Sequence, residues 1–193
     1  MSDAISRSGE TAHQLLEAGA AASSRNESAL AVRLFEQAVD AAPSWAMPHF
    51  MLGSEFAAMG DWAKAEGELA NAVLLDPQLR IARYQLGLLQ LTCGRAAAAL
   101  VTWQPLLADA ADDGLAEFVG GFSAWVRDDF DGAASQFRAG MSRPDVNPAA
   151  ATDVQRTLDS IAHGPSRGDA TAPPETSPSP SHVLVANYGK FVH

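Results

Sequence analysis

Residues 51–77 read MLGSEFAAMGDWAKAEGELANAVLLDP, and this stretch decides the fold. A helix-forming run with Leu52, Gly53 and Phe56 ends at Gly60, a residue suited to the positive φ that closes a helix. Gly60-Asp61-Trp62 makes the turn. A second run carries Ala65, Leu69 and Ala72 and stops at Asp76-Pro77, where proline ends one helix and lets the next begin. The stretch is a helical hairpin.

The pattern repeats outward from it. Gly19, Gly53, Gly87 and Gly121 fall 34 residues apart. Ala31, Ala65, Ala99 and Ala133 keep the same step, as do Phe35, Leu69, Trp103 and Phe137. Two columns of small residues and one of large apolar residues mark stacked helix–turn–helix units. The small residues let two helices cross closely, and the large ones fill the hole beside them. Punctuation by Gly, Pro, Asp and Ser predicts helices over 11–24, 28–42, 46–59, 62–75, 80–93, 96–109, 114–127, 130–141 and 149–162.

These columns resemble the tetratricopeptide repeat family over roughly residues 12–147, with 46–79 the clearest repeat. The resemblance implies an all-α, right-handed α-solenoid of four hairpins. The departures lie at repeat ends: Ala111 stands at a proline column, and Gly140 and Asp145 stand at alanine and proline columns. The domain would span 11–163. Its last helix, 149–162, would be a cap with Ala151, Val154, Leu158 and Ile161 inward and Asp153, Arg156 and Asp159 outward.

The two ends of the chain differ from the repeats. Residues 1–10 are polar and expected to be loose. Residues 164–181, GPSRGDATAPPETSPSPS, read as a disordered linker, and the Arg167-Gly168-Asp169 tripeptide within it reads as chance. Residues 182–193, HVLVANYGKFVH, turn apolar again through Val183, Leu184, Val185, Tyr188 and Phe191. Such a β-prone run left in water is an aggregation hazard, so a cover for it is expected.

Composition excludes several classes. An apolar fraction of 47% supports a real core, and a net charge of −10 disfavours nucleic acid and anionic membrane as partners. The single cysteine, Cys93, precludes an internal disulfide and reads as a buried, inert thiol. No signal pattern or membrane span is read, so a cytoplasmic location is expected. The histidines, His13, His49, His163, His182 and His193, lack metal-ligand spacing, and His49 reads as a packed side chain. Asp128-Asp129-Phe130-Asp131-Gly132 fails the calcium-loop spacing and matches the repeat turn. No catalytic constellation is found: the chain reads as a non-enzyme without metal or cofactor.

The resemblance places groove-lining residues on the first helix of each repeat. Here these are His13, Leu16, Ala20 and Ser23; Met47, Phe50, Ser54 and Ala57; Ile81, Tyr84, Leu88 and Leu91; and Leu115, Phe118, Phe122 and Trp125. Independently, the helix RIARYQLGLLQLTCG is apolar nearly all round, as a helix buried on two sides would be. The expected function is a protein-interaction scaffold or adaptor, chaperone-like, whose concave groove takes an extended apolar peptide. Phe50, Ile81, Tyr84, Leu88, Leu91, Phe118, Phe122 and Trp125 are the expected site. The peptide is another protein's segment or the 182–193 tail of its own or a neighbouring chain, the latter making a homo-oligomer. The Lys, Arg and Asn of a carboxylate clamp are absent from these columns. Alternatives are a secretion-type chaperone for a hydrophobic client and a structural protein assembling by tail exchange.

Overall fold

The structure is a computed structural model that describes residues 2–108 and 114–163. The predicted linker and apolar tail lie outside the described residues. Among the latter there are nine helices and no strand: α1 Ser2–Ser24, α2 Ser28–Ala41, α3 Ala46–Ala58, α4 Trp62–Leu75, α5 Arg80–Thr92, α6 Ala96–Ala108, α7 Leu115–Trp125, α8 Phe130–Met141 and α9 Pro148–His163. The order and bounds follow the sequence reading closely. The main difference is at the start, where α1 begins at Ser2 and so takes in residues expected to be loose.

The described chain divides into two compact units, one reaching Thr102 and one starting at Trp103. In the first, α1 pairs with α2 and α3 with α4, while α2 packs on α3 and α4 on α5. The first helices also touch in sequence, α1 with α3 and α3 with α5. The start of α6 is tied back to α5 by the Thr102 hydroxyl, which donates to Gln90 Oε1 at 2.7 Å. In the second unit α7 pairs with α8, and α9 packs on both.

The 34-residue columns meet as their chemistry requires. A Cβ added to Gly53 would lie 2.9 Å from Leu69 Cγ and 3.1 Å from the Ala65 carbonyl oxygen. At Gly19 it would fall 2.5 Å from Phe35 Cε1, and at Gly121 it would strike the Phe137 ring. Phe35, Leu69 and Phe137 are accordingly almost wholly buried. Each hairpin closes because one helix leaves out a side chain and the other fills the space.

The turns form a further column. Asn26, Gly60, Gly94 and Asp128 all have positive φ, between 59° and 79°, and are 34 residues apart. Glycine enters this region freely, while Asn and Asp are the side chains that tolerate it best. Next to it, Asp61 and Asp129 cap α4 and α8, accepting from the backbone N–H of Lys64 and Gly132 at 3.3 and 2.9 Å. Asp129, in the stretch that superficially resembles a calcium loop, is therefore a helix cap.

Two placements correct the sequence reading. Cys93 is exposed, because it is the residue that ends α5 just before the Gly94 turn. Asp153 is buried, at 6% exposure, because α9 turns Ala150, Asp153, Val154 and Thr157 inward. Arg156 and Asp159 are exposed as expected.

Candidate functional site

In the first unit, the face formed by α1, α3 and α5 carries the expected groove residues. Leu16, Phe50, Ile81 and Tyr84 are buried, Phe50 and Tyr84 to 1% and 0% exposure. Leu88 and Leu91 are half-buried. On α3, every residue from Pro48 to Phe56 is buried, so the helix is enclosed around its whole circumference. Nine successive residues make two and a half helical turns, so no side of α3 is left to bulk water.

Two buried hydrogen bonds stitch these first helices together. The Ser23 hydroxyl on α1 donates to Glu55 Oε2 on α3 at 2.6 Å. Ser54 Oγ on α3 lies 2.7 Å from Gln85 Oε1 on α5 and 2.8 Å from the Phe50 carbonyl. A hydroxyl has one proton, so only one of those two oxygens receives it. Gln85 Nε2 is buried without a partner. Turning the amide over would let Nε2 donate to Ser54 and set the carbonyl oxygen in the place of Nε2. Ser23 and Ser54 thus face neighbouring first helices, a role their groove columns did not announce.

On the other side of the α3/α4 hairpin the chemistry is different. His49 is buried, with Nδ1 2.7 Å from Glu68 Oε2 and Nε2 3.2 Å from the Pro43 carbonyl oxygen. Both ring nitrogens face acceptors, and a single ring N–H donates to only one of them, so the ring is packed between two acceptors. A shallow pocket nearby includes Glu36, Asp40, Leu52, Phe56, Lys64 and Glu68, with Lys64 Nζ 5.0 Å from the centre of the Phe56 ring. Glu66 takes a two-pronged ion pair from Arg95, at 2.7 and 2.8 Å, which holds its carboxyl below the usual range.

The second unit uses its aromatic residues internally. Phe122 stacks on Trp103 at 5.7 Å and on Trp125 at 6.2 Å, and meets Phe137 edge-on at 4.9 Å. The Phe118 ring lies against Gly140 of α8. Phe118 and Phe122 are buried, while Trp125 is half-buried. The columns marked these residues as groove-lining. The glycine in the facing helix was the signal that could have redirected Phe118. Arg143 Nε pairs with Glu117 Oε1 at 2.8 Å and joins the segment after α8 to α7.

Among the described residues there is no grouping of three or more His, Cys, Asp or Glu able to hold a metal. No described helix is long and apolar enough to cross a membrane. The first helices of this unit are packed through buried apolar side chains, with Leu88 and Leu91 half-buried on α5 and Gln85 Nε2 buried without a partner.

Paired helices at a 34-residue step, with glycine under a large apolar side chain, define a tetratricopeptide-repeat type of fold, and solved structures agree. MamA from Desulfovibrio magneticus RS-1, from residue 41 to its end, is 16% identical, with a TM-score of 0.58 over 80% of this chain and 91% of that one. YrrB, described as a TPR protein with an unusual peptide-binding site, is 20% identical, with a TM-score of 0.57 over 83% of this chain and 86% of its own. A further MamA crystal structure is 19% identical, with a TM-score of 0.58 over 67% and 76%. No family model and no curated protein matches the chain.

Proposed function

We propose that this protein is an interaction scaffold whose first-helix face binds an extended apolar peptide. The observation that supports the reading is the α5 part of the α1–α3–α5 face, where the apolar Leu88 and Leu91 stay half-buried while Phe50, Ile81 and Tyr84 are buried. The kinship in fold with YrrB, a protein with a peptide-binding site, supports the reading.

Leu88 and Leu91 form the half-buried rim of the same face and are the residues to change. Twelve-residue peptides displayed on phage should be selected against the full chain carrying Tyr188→Glu and Phe191→Glu, which keeps its own tail from competing. Apolar sequences are expected to be enriched. They should lose at least tenfold in affinity for Leu88→Glu with Leu91→Glu, while the helical circular dichroism stays unchanged. Unselective enrichment, or full binding by the double variant, would end the reading.

A further inference from the structure

We propose that the groove between α2 and α4 docks a segment of another protein that carries arginine among apolar residues. This surface is separate from the first-helix face, so the proposal stands or falls apart from the peptide reading above.

The groove lies wholly within the first unit. Leu52 and Phe56, one turn apart on α3, form an apolar floor. Glu36 and Asp40 on α2 and Gly67 and Glu68 on α4 line its two sides. Its volume is about 400 Å3, at the small end of ligand clefts. Glu36, Asp40 and Gly67 are exposed, so the groove is open to a partner as the chain stands.

Gly67 keeps one wall low. It lies inside α4, where glycine weakens a helix. An added Cβ would meet nothing within 4 Å, so packing does not call for glycine. The same step of the 34-residue repeat carries Arg33, Val101 and Ser135, so side chains are accommodated at this column elsewhere. At Gly67 the missing side chain leaves room beside the floor.

Charge selects the occupant. Three carboxylates, Glu36, Asp40 and Glu68, against the one ammonium of Lys64 leave minus two on the groove. Lys64 is already engaged, with Nζ 2.9 Å from Asp61 Oδ2. Glu36 and Asp40 have no ion-pair or hydrogen-bond partner among the described residues. A guanidinium presents its N–H donors in a planar fork and is more weakly hydrated than an ammonium, so it suits carboxylates on facing walls while its stem lies on an apolar floor. Lys64 Nζ, 5.0 Å from the centre of the Phe56 ring, shows that this floor accepts a cation at its aromatic face. The net charge of −10 draws a cationic segment in and repels an acidic one.

Two peptides test this on the full, 15N-labelled chain: acetyl-GLRLRLG-amide, and the same peptide with citrulline in place of both arginines, which keeps the shape and removes the charge. The arginine peptide should shift the amide signals of Gly67, Glu68 and Asn71 saturably, and added salt should weaken it. The citrulline peptide should bind at least tenfold more weakly. Glu36→Lys with Asp40→Lys, and separately Gly67→Leu, should each lose at least tenfold in affinity for the arginine peptide, with helical circular dichroism unchanged. All three positions are exposed, so neither variant disturbs the core. Equal binding of the two peptides would assign the groove to apolar contact alone and overturn the proposal. So would the absence of any saturable shift, or full affinity in the charge-reversed variant. Shifts at Leu88 and Leu91 in place of the groove signals would move the arginine peptide to the first-helix face, and the proposal would fall.

Discussion

The Phe118 ring lies so close to Gly140 that a Cβ on that glycine would sit 2.6 Å from Phe118 Cε1 and 3.0 Å from the Gly114 carbonyl oxygen. The other repeats afford alanine or leucine in this column, and here the aromatic ring takes the volume. Gly140→Ala should therefore overpack the α7/α8 hairpin and lower stability by about 1–3 kcal/mol in urea unfolding. Gly67→Ala is the internal comparison. Gly67 lies within α4 with nothing within 4 Å of an added Cβ, so that change should raise stability by about 0.5–1 kcal/mol. Equal effects from the two would contradict the packing described.

The left-handed turn column predicts an asymmetric pair of substitutions. Asp128, at φ 60°, should be relieved by glycine, and Asp128→Gly should gain up to about 1 kcal/mol. Gly94, at φ 74°, should be strained by any side chain, and Gly94→Ala should lose about 1–2 kcal/mol. Thermal midpoints of the two variants should move in opposite directions.

Asp153 predicts a pH dependence. Burial pushes its carboxyl up to about 7, with Arg156 opposing, and neither carboxylate oxygen has a hydrogen-bond partner. The folded state therefore holds a proton that the unfolded chain releases near pH 4. Through this group, stability is greatest below about pH 4, falls as the pH rises toward 7, and is flat above. Ionising Asp153 in place costs on the order of a few kcal/mol. Asp153→Asn should raise the unfolding midpoint at pH 8 and flatten its slope between pH 5 and 7. An unchanged slope would show that the carboxyl is solvated.

Phe122 predicts a separation of stability from binding. It is held by Trp103, Trp125 and Phe137, so Phe122→Ala should cost about 3–5 kcal/mol of stability. Leu88→Glu, on the half-buried rim of α5, should instead spare the helices and remove the peptide. Circular dichroism and a peptide titration on both variants would detect a reversal of these roles.

The hairpins were legible because three constraints recur together: no side chain at Gly53, a large one at Leu69 and a turn at Gly60. One packing satisfies all of them, and among the described residues it is seen at Gly19 with Phe35, Gly53 with Leu69 and Gly121 with Phe137. The direction of individual rings was less legible. Columns assign Phe118 to a groove, and they do not reveal that its ring also lies against Gly140, 22 residues later at an alanine column. The burial of Asp153 was illegible for another reason. A polar stripe on a terminal helix normally faces water, and one orphaned carboxylate is an exception to that rule. Asn26 and Asp128 join the left-handed column, yet they gave no sign of it, because both residue types are also ordinary in right-handed turns.

The left-handed column has a consequence for how such an array can change over generations. Asn26, Gly60, Gly94 and Asp128 occupy one structural position with three residue types. Glycine and aspartate codons differ by a single base, as do aspartate and asparagine codons. A duplicated hairpin can therefore drift among all three by point changes without passing through a residue that the turn rejects. The three residue types at this position are ones that such point changes connect.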